Sequence, residues 1–217
     1  MQQSKVIGVF DSGVGGLSVA NAIKKAFPGY QVEYREDSKN LPYGTKTPKQ
    51  LYELVLPILQ ELANICDVIV IACNTVTTTI IEDLRREIKI PIIGIEPMVK
   101  PAVQLTNSKV ITVCATPTTL SSKRYAELKE QFGSNVMIIE PDCSDWAGLI
   151  EQNALNESKI REDIEPSLQA GSDVIVLACT HYHWIESEIT KFVGSMATVL
   201  QPEPAIITRL KVLLEAN

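Results

Sequence analysis

Two cysteines, Cys73 and Cys179, stand at equivalent places in the chain, each directly after a continuous apolar run. Cys73 opens the segment Cys73-Asn74-Thr75, which supplies a thiol, an amide and a hydroxyl in succession. Cys179 opens Cys179-Thr180-His181, which supplies a thiol, a hydroxyl and an imidazole. A thiol at the start of a helix meets unpaired N–H groups and a partial positive charge, which favour thiolate. The same N–H groups suit a bound carboxylate. Two such thiols at duplicated positions, each followed by hydrogen-bonding residues, read as active groups and not as inert buried cysteines. The other cysteines differ. Cys114 falls within a strand and reads as core, and Cys66 and Cys143 lie near element ends without a duplicate.

Further polar groups could complete such a site. The segment DSGVGGLS (11–18) lets backbone approach a ligand closely, and Asp11 could orient or deprotonate a neighbour. It matches neither GxGxxG nor the GK[ST] phosphate loop, which disfavours a nucleotide. LPYGTKT (41–47) has turn chemistry. TPTTLSS (116–122) is dense in hydroxyls that could hold a carboxylate and an ammonium, or cap a helix. His181 and His183 have no carboxylate cluster to complete a metal site. The five cysteines, an odd number without CxxC spacing, support neither zinc nor a disulfide framework.

Short β-branched runs position these groups: VIGVF (6–10), VEY (32–34), VIVIA (68–72), IIGI (92–95), VITVC (110–114), VMII (136–139) and VIVLA (174–178). Continuous apolar strands suit a parallel sheet buried on both faces. Helix-length stretches fill the spaces at 16–27, 48–65, 78–89, 98–106, 121–132, 145–153, 158–170 and 184–193. Strand–helix alternation of this kind predicts a doubly wound α/β fold.

The chain also repeats itself. CDVIVIACNTVTT (66–78) aligns with SDVIVLACTHYHW (172–184), and VIGVFDSGVGGLS (6–18) with VITVCATPTTLSS (110–122). VEY aligns with the apolar run at 136–139 at the same spacing, so three elements recur in order. The expectation is two similar α/β domains related by pseudo-twofold symmetry, the first from 1–96 plus 203–217 and the second from 97–202. Pro97 marks the crossover, and the helical pattern of AIITRLKVLL (205–214) packs back on the first half. Open parallel sheets bind ligands beyond the carboxyl ends of their strands. The expected active site is therefore the cleft between the domains, with Cys73 and Cys179 approaching one ligand from opposite sides.

Bulk properties narrow the partners. Lys and Arg number 20 against 26 Asp and Glu, a net charge of −6 without a basic cluster, which argues against nucleic acid. No apolar run approaches the roughly 18 residues of a membrane helix. The start, MQQSKVIGVFDSG, runs directly into a strand pattern and shows no signal peptide. A cytoplasmic protein with reduced thiols is expected.

Taken together, DSGVGGLSV (11–19), PYG (42–44), CNT (73–75) and CTH (179–181) resemble the glutamate racemases of the aspartate/glutamate racemase superfamily. The resemblance extends over nearly the whole chain, through YREDSKNLPYG (34–44), GIEPMVKPA (94–102), ATPTTLSSKRY (115–125) and WAGLIE (146–151). It implies an isomerase that inverts the α-carbon of glutamate without pyridoxal phosphate, metal or any other cofactor. By position, Cys73 would deprotonate D-glutamate with help from Asp11, and Cys179 would deprotonate L-glutamate with help from His181. Glu151 falls where the family has a carboxylate supporting this histidine. Asp11, Ser12, Pro42, Tyr43, Gly44, Asn74, Thr75, Thr116, Thr119 and Thr180 fall on substrate-contacting positions. The resemblance further implies a homodimer supplying D-glutamate for peptidoglycan. His183 and Trp184 depart from the usual Pro and aliphatic residue, and Thr118 from a frequent Gly. The sequence also stops soon after its last helical stretch, early for the family. Two rivals remain open: a sister enzyme acting on aspartate or another small acid, single-thiol decarboxylases included, and a non-catalytic module that binds a small carboxylate.

Overall fold

The structure, a computed structural model, describes residues 5–215; positions 1–4 and 216–217, which the first expected domain includes, lie outside them. The chain divides into two compact units. One runs to Glu96 and resumes at Pro202, and the other is Pro97–Gln201.

In the first unit four parallel strands, β1 (Val6–Asp11), β2 (Gln31–Glu36), β3 (Val68–Ile71) and β4 (Ile92–Gly94), lie in the order β2-β1-β3-β4. Helices α1 (Leu17–Ala26), α2 (Pro48–Ala63) and α3 (Asn74–Glu87) connect them. Alternation along the central strands serves both faces. Phe10, Ile69 and Ile71 pack with Leu51, Val55 and Leu59 of α2 and with Val76 and Ile80 of α3. Ile7, Val9, Val68 and Val70 pack with Val19 and Ile23 of α1. Burial of each such side chain contributes about 1.5–3 kcal/mol. The face of α2 is set at its start by Thr47, whose hydroxyl accepts from the Gln50 N–H in a capping box.

The second unit repeats this plan. Strands β5 (Val110–Ala115), β6 (Met137–Ile139), β7 (Val174–Ala178) and β8 (Thr198–Leu200) are parallel, in the order β6-β5-β7-β8. Its helices are α4 (Val99–Leu105), α5 (Pro117–Leu120), α6 (Lys123–Phe132), α7 (Trp146–Glu151), α8 (Glu157–Gln169) and α9 (Glu186–Val193). Ile111, Val113, Val174 and Val176 face α4 and α6. Cys114, Ile175 and Leu177 face α7, α8 and α9. Two similar doubly wound α/β sheets are thus the architecture that the strand pattern predicts.

The duplication reaches further than the aligned motifs. β8, absent from the expected strands, is the counterpart of β4. Asp67 and Asp173, each just before the strand that leads to a key cysteine, also play matching roles. The Asp67 carboxylate accepts from the Val6 N–H at 2.6 Å. The Asp173 carboxylate accepts from the N–H groups of Asn107 and Ser108 at 2.7 and 2.9 Å. Each carboxylate ties down the entry to its central strand.

A last helix, α10 (Glu203–Glu215), returns to the first sheet. Its Ile206, Leu210 and Leu214 join Ile7, Val9 and Ile23 in one core. Lys5 Nζ donates to the Leu214 carbonyl at 2.9 Å.

Candidate active site

The first unit gathers its candidate residues at the carboxyl ends of β1 and β3. Asp11, the last residue of β1, is fully buried. Its carboxylate accepts from the N–H groups of Gly13 and Gly16, at 3.3 and 2.9 Å. Gly16 is required by space: a Cβ there would stand 2.4 Å from the Asp11 Cβ. Gly16→Ala is therefore expected to cost about 1–3 kcal/mol through overpacking. A shift of the denaturant midpoint measures it.

Cys73 caps α3, and its sulfur lies 3.4 Å from the Ser12 hydroxyl. The expected depression of its pKa is not found. Burial pushes the thiol up to about 12, and the Asp11 carboxylate adds to the rise. The Ser12 hydroxyl and the N–H groups of Val76 and Thr75 act in the opposite direction but do not prevail. The helix N-terminus is present, yet desolvation of an anion outweighs it. Helix α3 begins at Asn74, four residues before the periodic apolar pattern, because Asn74 to Thr79 carries polar and β-branched side chains that hide the helical period.

Asn74 and Thr75 are buried in the first turn of α3. Neither Nδ2 nor Oδ1 of Asn74 has a hydrogen-bond partner among the described residues. Each unsatisfied buried polar group costs about 1–3 kcal/mol, which a polar ligand would relieve. Pro42, Tyr43 and Gly44 form a tight turn whose central residue is buried. The Tyr43 ring packs in the same cluster as Cys73 and Val76. Its hydroxyl donates to Asp37 at 2.7 Å. Burial, then Asp37, raises the phenol far beyond the ordinary range, so it keeps its proton.

The second unit joins three candidates in a line. His181 Nε2 lies 2.6 Å from a Glu151 carboxylate oxygen, and His181 Nδ1 lies 3.9 Å from the Cys179 sulfur. A carboxylate accepts, so Nε2 presents its N–H to Glu151, and Nδ1 is the ring nitrogen that faces the thiol. Cys179 is buried at the end of β7, but no α-helix follows it. A 3₁₀ turn spans Thr180–Ile185, and α9 begins only at Glu186. Tyr182 explains the difference. Its fully buried ring sits edge-on to Trp146, with centroids 5.2 Å apart, and its hydroxyl donates to the Cys143 carbonyl at 2.8 Å. This anchors the His181 turn to α7, which ends at Glu151.

Thr180, like His181, is buried in that turn. Thr116 caps α5, its hydroxyl accepting from the Thr119 N–H at 3.3 Å and donating to the Thr119 hydroxyl at 3.0 Å. His183 is buried in the same turn as His181, whereas Trp184 is half exposed. All five cysteines are buried, and none is in a disulfide. The neighbouring Cys114 thiol and burial together hold the Cys143 thiol far above the usual range. Among the described residues no cluster of three or more His, Cys, Asp or Glu could hold a metal ion. None of their helices is long and apolar enough to cross a membrane. Asp37 and Tyr182 were not among the expected site residues. The two visible signals were a lone Asp in the turn-rich EDSKN and the aromatic residues in THYHW.

Similarity to known proteins follows the same pattern. Residues 7–209 match the family model of Asp/Glu/hydantoin racemases. A protein named glutamate racemase from Methylococcus capsulatus is 37% identical over 216 residues, covering 97% of this chain and 80% of its own. The structure of Escherichia coli glutamate racemase, in complex with L-glutamate and the activator UDP-MurNAc-Ala, superposes with a TM-score of 0.90 at 28% identity, covering 98% of this chain and 83% of that one. That of Francisella tularensis glutamate racemase, in complex with D-glutamate, gives 0.84 at 27% identity, covering 99% and 82%. Strand-end thiols, a duplicated parallel sheet and this span of similarity lead to one assignment: the chain belongs to the Asp/Glu/hydantoin racemase family, and is an isomerase.

Proposed function

We propose that this protein is a cofactor-independent glutamate racemase using two thiols as its acid and base. The observation that carries the reading is the duplicated pair of buried strand-end cysteines, each with its own proton-handling neighbours. Ser12 and Asp11 attend Cys73, and the His181–Glu151 dyad attends Cys179. The glutamate racemases named above add support for the substrate.

Inversion needs one base and one acid on opposite faces of the α-carbon. With D-glutamate, the Cys73 thiolate takes the α-proton and the Cys179 thiol gives one to the other face. With L-glutamate the roles reverse. His181, accepting at Nδ1, takes the proton that Cys179 must lose to become a base. Asp11 serves the Cys73 side. The unpartnered Asn74 amide and the N–H groups opening α3 suit the substrate's α-carboxylate. Ser12, Pro42, Tyr43, Gly44, Thr75, Thr116, Thr119 and Thr180 complete the proposed contacts. The setting is a cytoplasmic homodimer that supplies D-glutamate to peptidoglycan synthesis.

The test is incubation with L-glutamate in deuterated water without added cofactor, followed by circular dichroism and α-deuterium incorporation. Loss of optical activity together with exchange is expected. If glutamate neither exchanges nor inverts while aspartate does, the substrate assignment is wrong. If no small acidic amino acid exchanges, the racemase reading is wrong.

A further inference from the structure

We infer that Asp37 is a positioning residue for the Cys73 half-reaction, acting through Tyr43; this rests on the racemase reading. Asp37 directly follows β2, whose last residue pairs in register with Asp11. Its backbone carbonyl accepts from the Asn40 N–H at 3.1 Å. Its two carboxylate oxygens accept from Asn40 Nδ2 at 2.8 and 2.9 Å. One of them also accepts from the Tyr43 hydroxyl at 2.7 Å. One carboxylate thus folds residues 37–43 onto themselves and fixes the rotation of a buried ring.

The ring matters because of where it packs. Tyr43 shares a core cluster with Cys73 and Val76, the cysteine and the first apolar residue of α3. A charged acceptor holds the phenol proton, so the ring cannot turn its hydroxyl toward Cys73 without breaking a charge-assisted bond. Asp37 spends its charge on these donors and is not offered as an acid or base. Its part is to keep the wall beside Cys73 in one arrangement, and a misplacement of about 1 Å in such a wall can cost about a hundredfold in rate.

Isotope effects give a readout that general destabilisation does not move. D- and L-glutamate are enantiomers, so kcat/KM must fall equally in both directions whichever side is damaged. The rate-limiting step, however, moves to the damaged side. For Asp37→Ala we expect kcat/KM to drop about tenfold or more. The primary isotope effect should rise with α-deuterated D-glutamate, whose deuteron Cys73 removes, and shrink with α-deuterated L-glutamate. Tyr43→Phe breaks the same bond from the other end and should give the same asymmetry. Asp37→Asn, which keeps one acceptor but turns an N–H₂ toward Asn40, should fall between wild type and Asp37→Ala.

A second readout needs no turnover. Peptide-resolved alkylation of Cys73 by iodoacetamide should accelerate several-fold in Asp37→Ala and Tyr43→Phe as the ring loosens, with Cys114 and Cys143 unchanged. Failure of the wild type to racemise glutamate would sink the functional reading while this measurement still judged Asp37. Unchanged Cys73 alkylation in folded Asp37→Ala and Asp37→Asn would overturn the inference. So would lowered activity with wild-type isotope effects in both directions.

Discussion

Cys73→Ser and Cys179→Ser should each lower racemisation about a thousandfold in both directions, the scale set by loss of one positioned acid or base. A serine hydroxyl is too weak an acid to supply an anionic base near neutral pH. The equality of the two directions is thermodynamic, but exchange without inversion is not bound by it. Cys73→Ser retains the thiol assigned to L-glutamate, so L-glutamate should still wash its α-proton into deuterated water with configuration kept. D-glutamate should not. Cys179→Ser should show the reverse, exchanging D-glutamate alone. Exchange of both enantiomers by both variants would remove the assignment of one thiol to each face.

The second large effect concerns Cys73 before substrate arrives. Its thiol is raised from 9.0 to about 12. At pH 8 the thiolate fraction is then about 10⁻⁴, against about 10⁻¹ for a thiol of ordinary pKa. Alkylation of Cys73 at pH 8 should therefore run about a thousandfold slower than that of the same cysteine in the unfolded chain. It should quicken about tenfold per pH unit until near pH 12. Asp11→Asn removes a raising charge and should speed the reaction. The linkage has a definite sign. Between pH 9 and 12 the folded protein keeps a proton that the unfolded chain releases. Stability from this group is thus full below pH 9 and falls above it, by up to about 1.4 kcal/mol per unit. Cys73→Ser should flatten that part of the alkaline unfolding curve. Fast alkylation at pH 7, equal to that of a free thiol, would contradict the burial argument.

The sequence was readable where a single physical cause dominates. Runs such as VIVIA and VIVLA must be buried on both faces, so the parallel sheets and their duplication followed directly. β8 escaped because three residues, Thr198 to Leu200, carry too little pattern. The start of α3 was masked by Asn and Thr, whose period is not apolar. The setting of Cys179 depended on a tertiary contact, since Tyr182 is drawn into the core against Trp146 and the chain tightens into a 3₁₀ turn. The sign of the Cys73 shift depended on a balance between helix N-terminus and burial, and only three dimensions decide burial. Asp37 offered nothing but a polar turn residue until its three donors were placed around it.

The return of α10 to the first sheet has a consequence for how the molecule is made. Residues 97–201 form a continuous stretch and hold their own cores, so they can fold as soon as they leave the ribosome. The first unit is synthesised earlier but completed later. Ile206, Leu210 and Leu214 cover one face of its sheet, and they emerge only after the whole second unit. Until then Ile7, Val9, Val68 and Val70 keep an incompletely covered apolar face. At about 5–20 residues per second this interval is on the order of ten seconds. The half bearing Cys73 is thus the one whose core closes last during synthesis, although its sequence comes first.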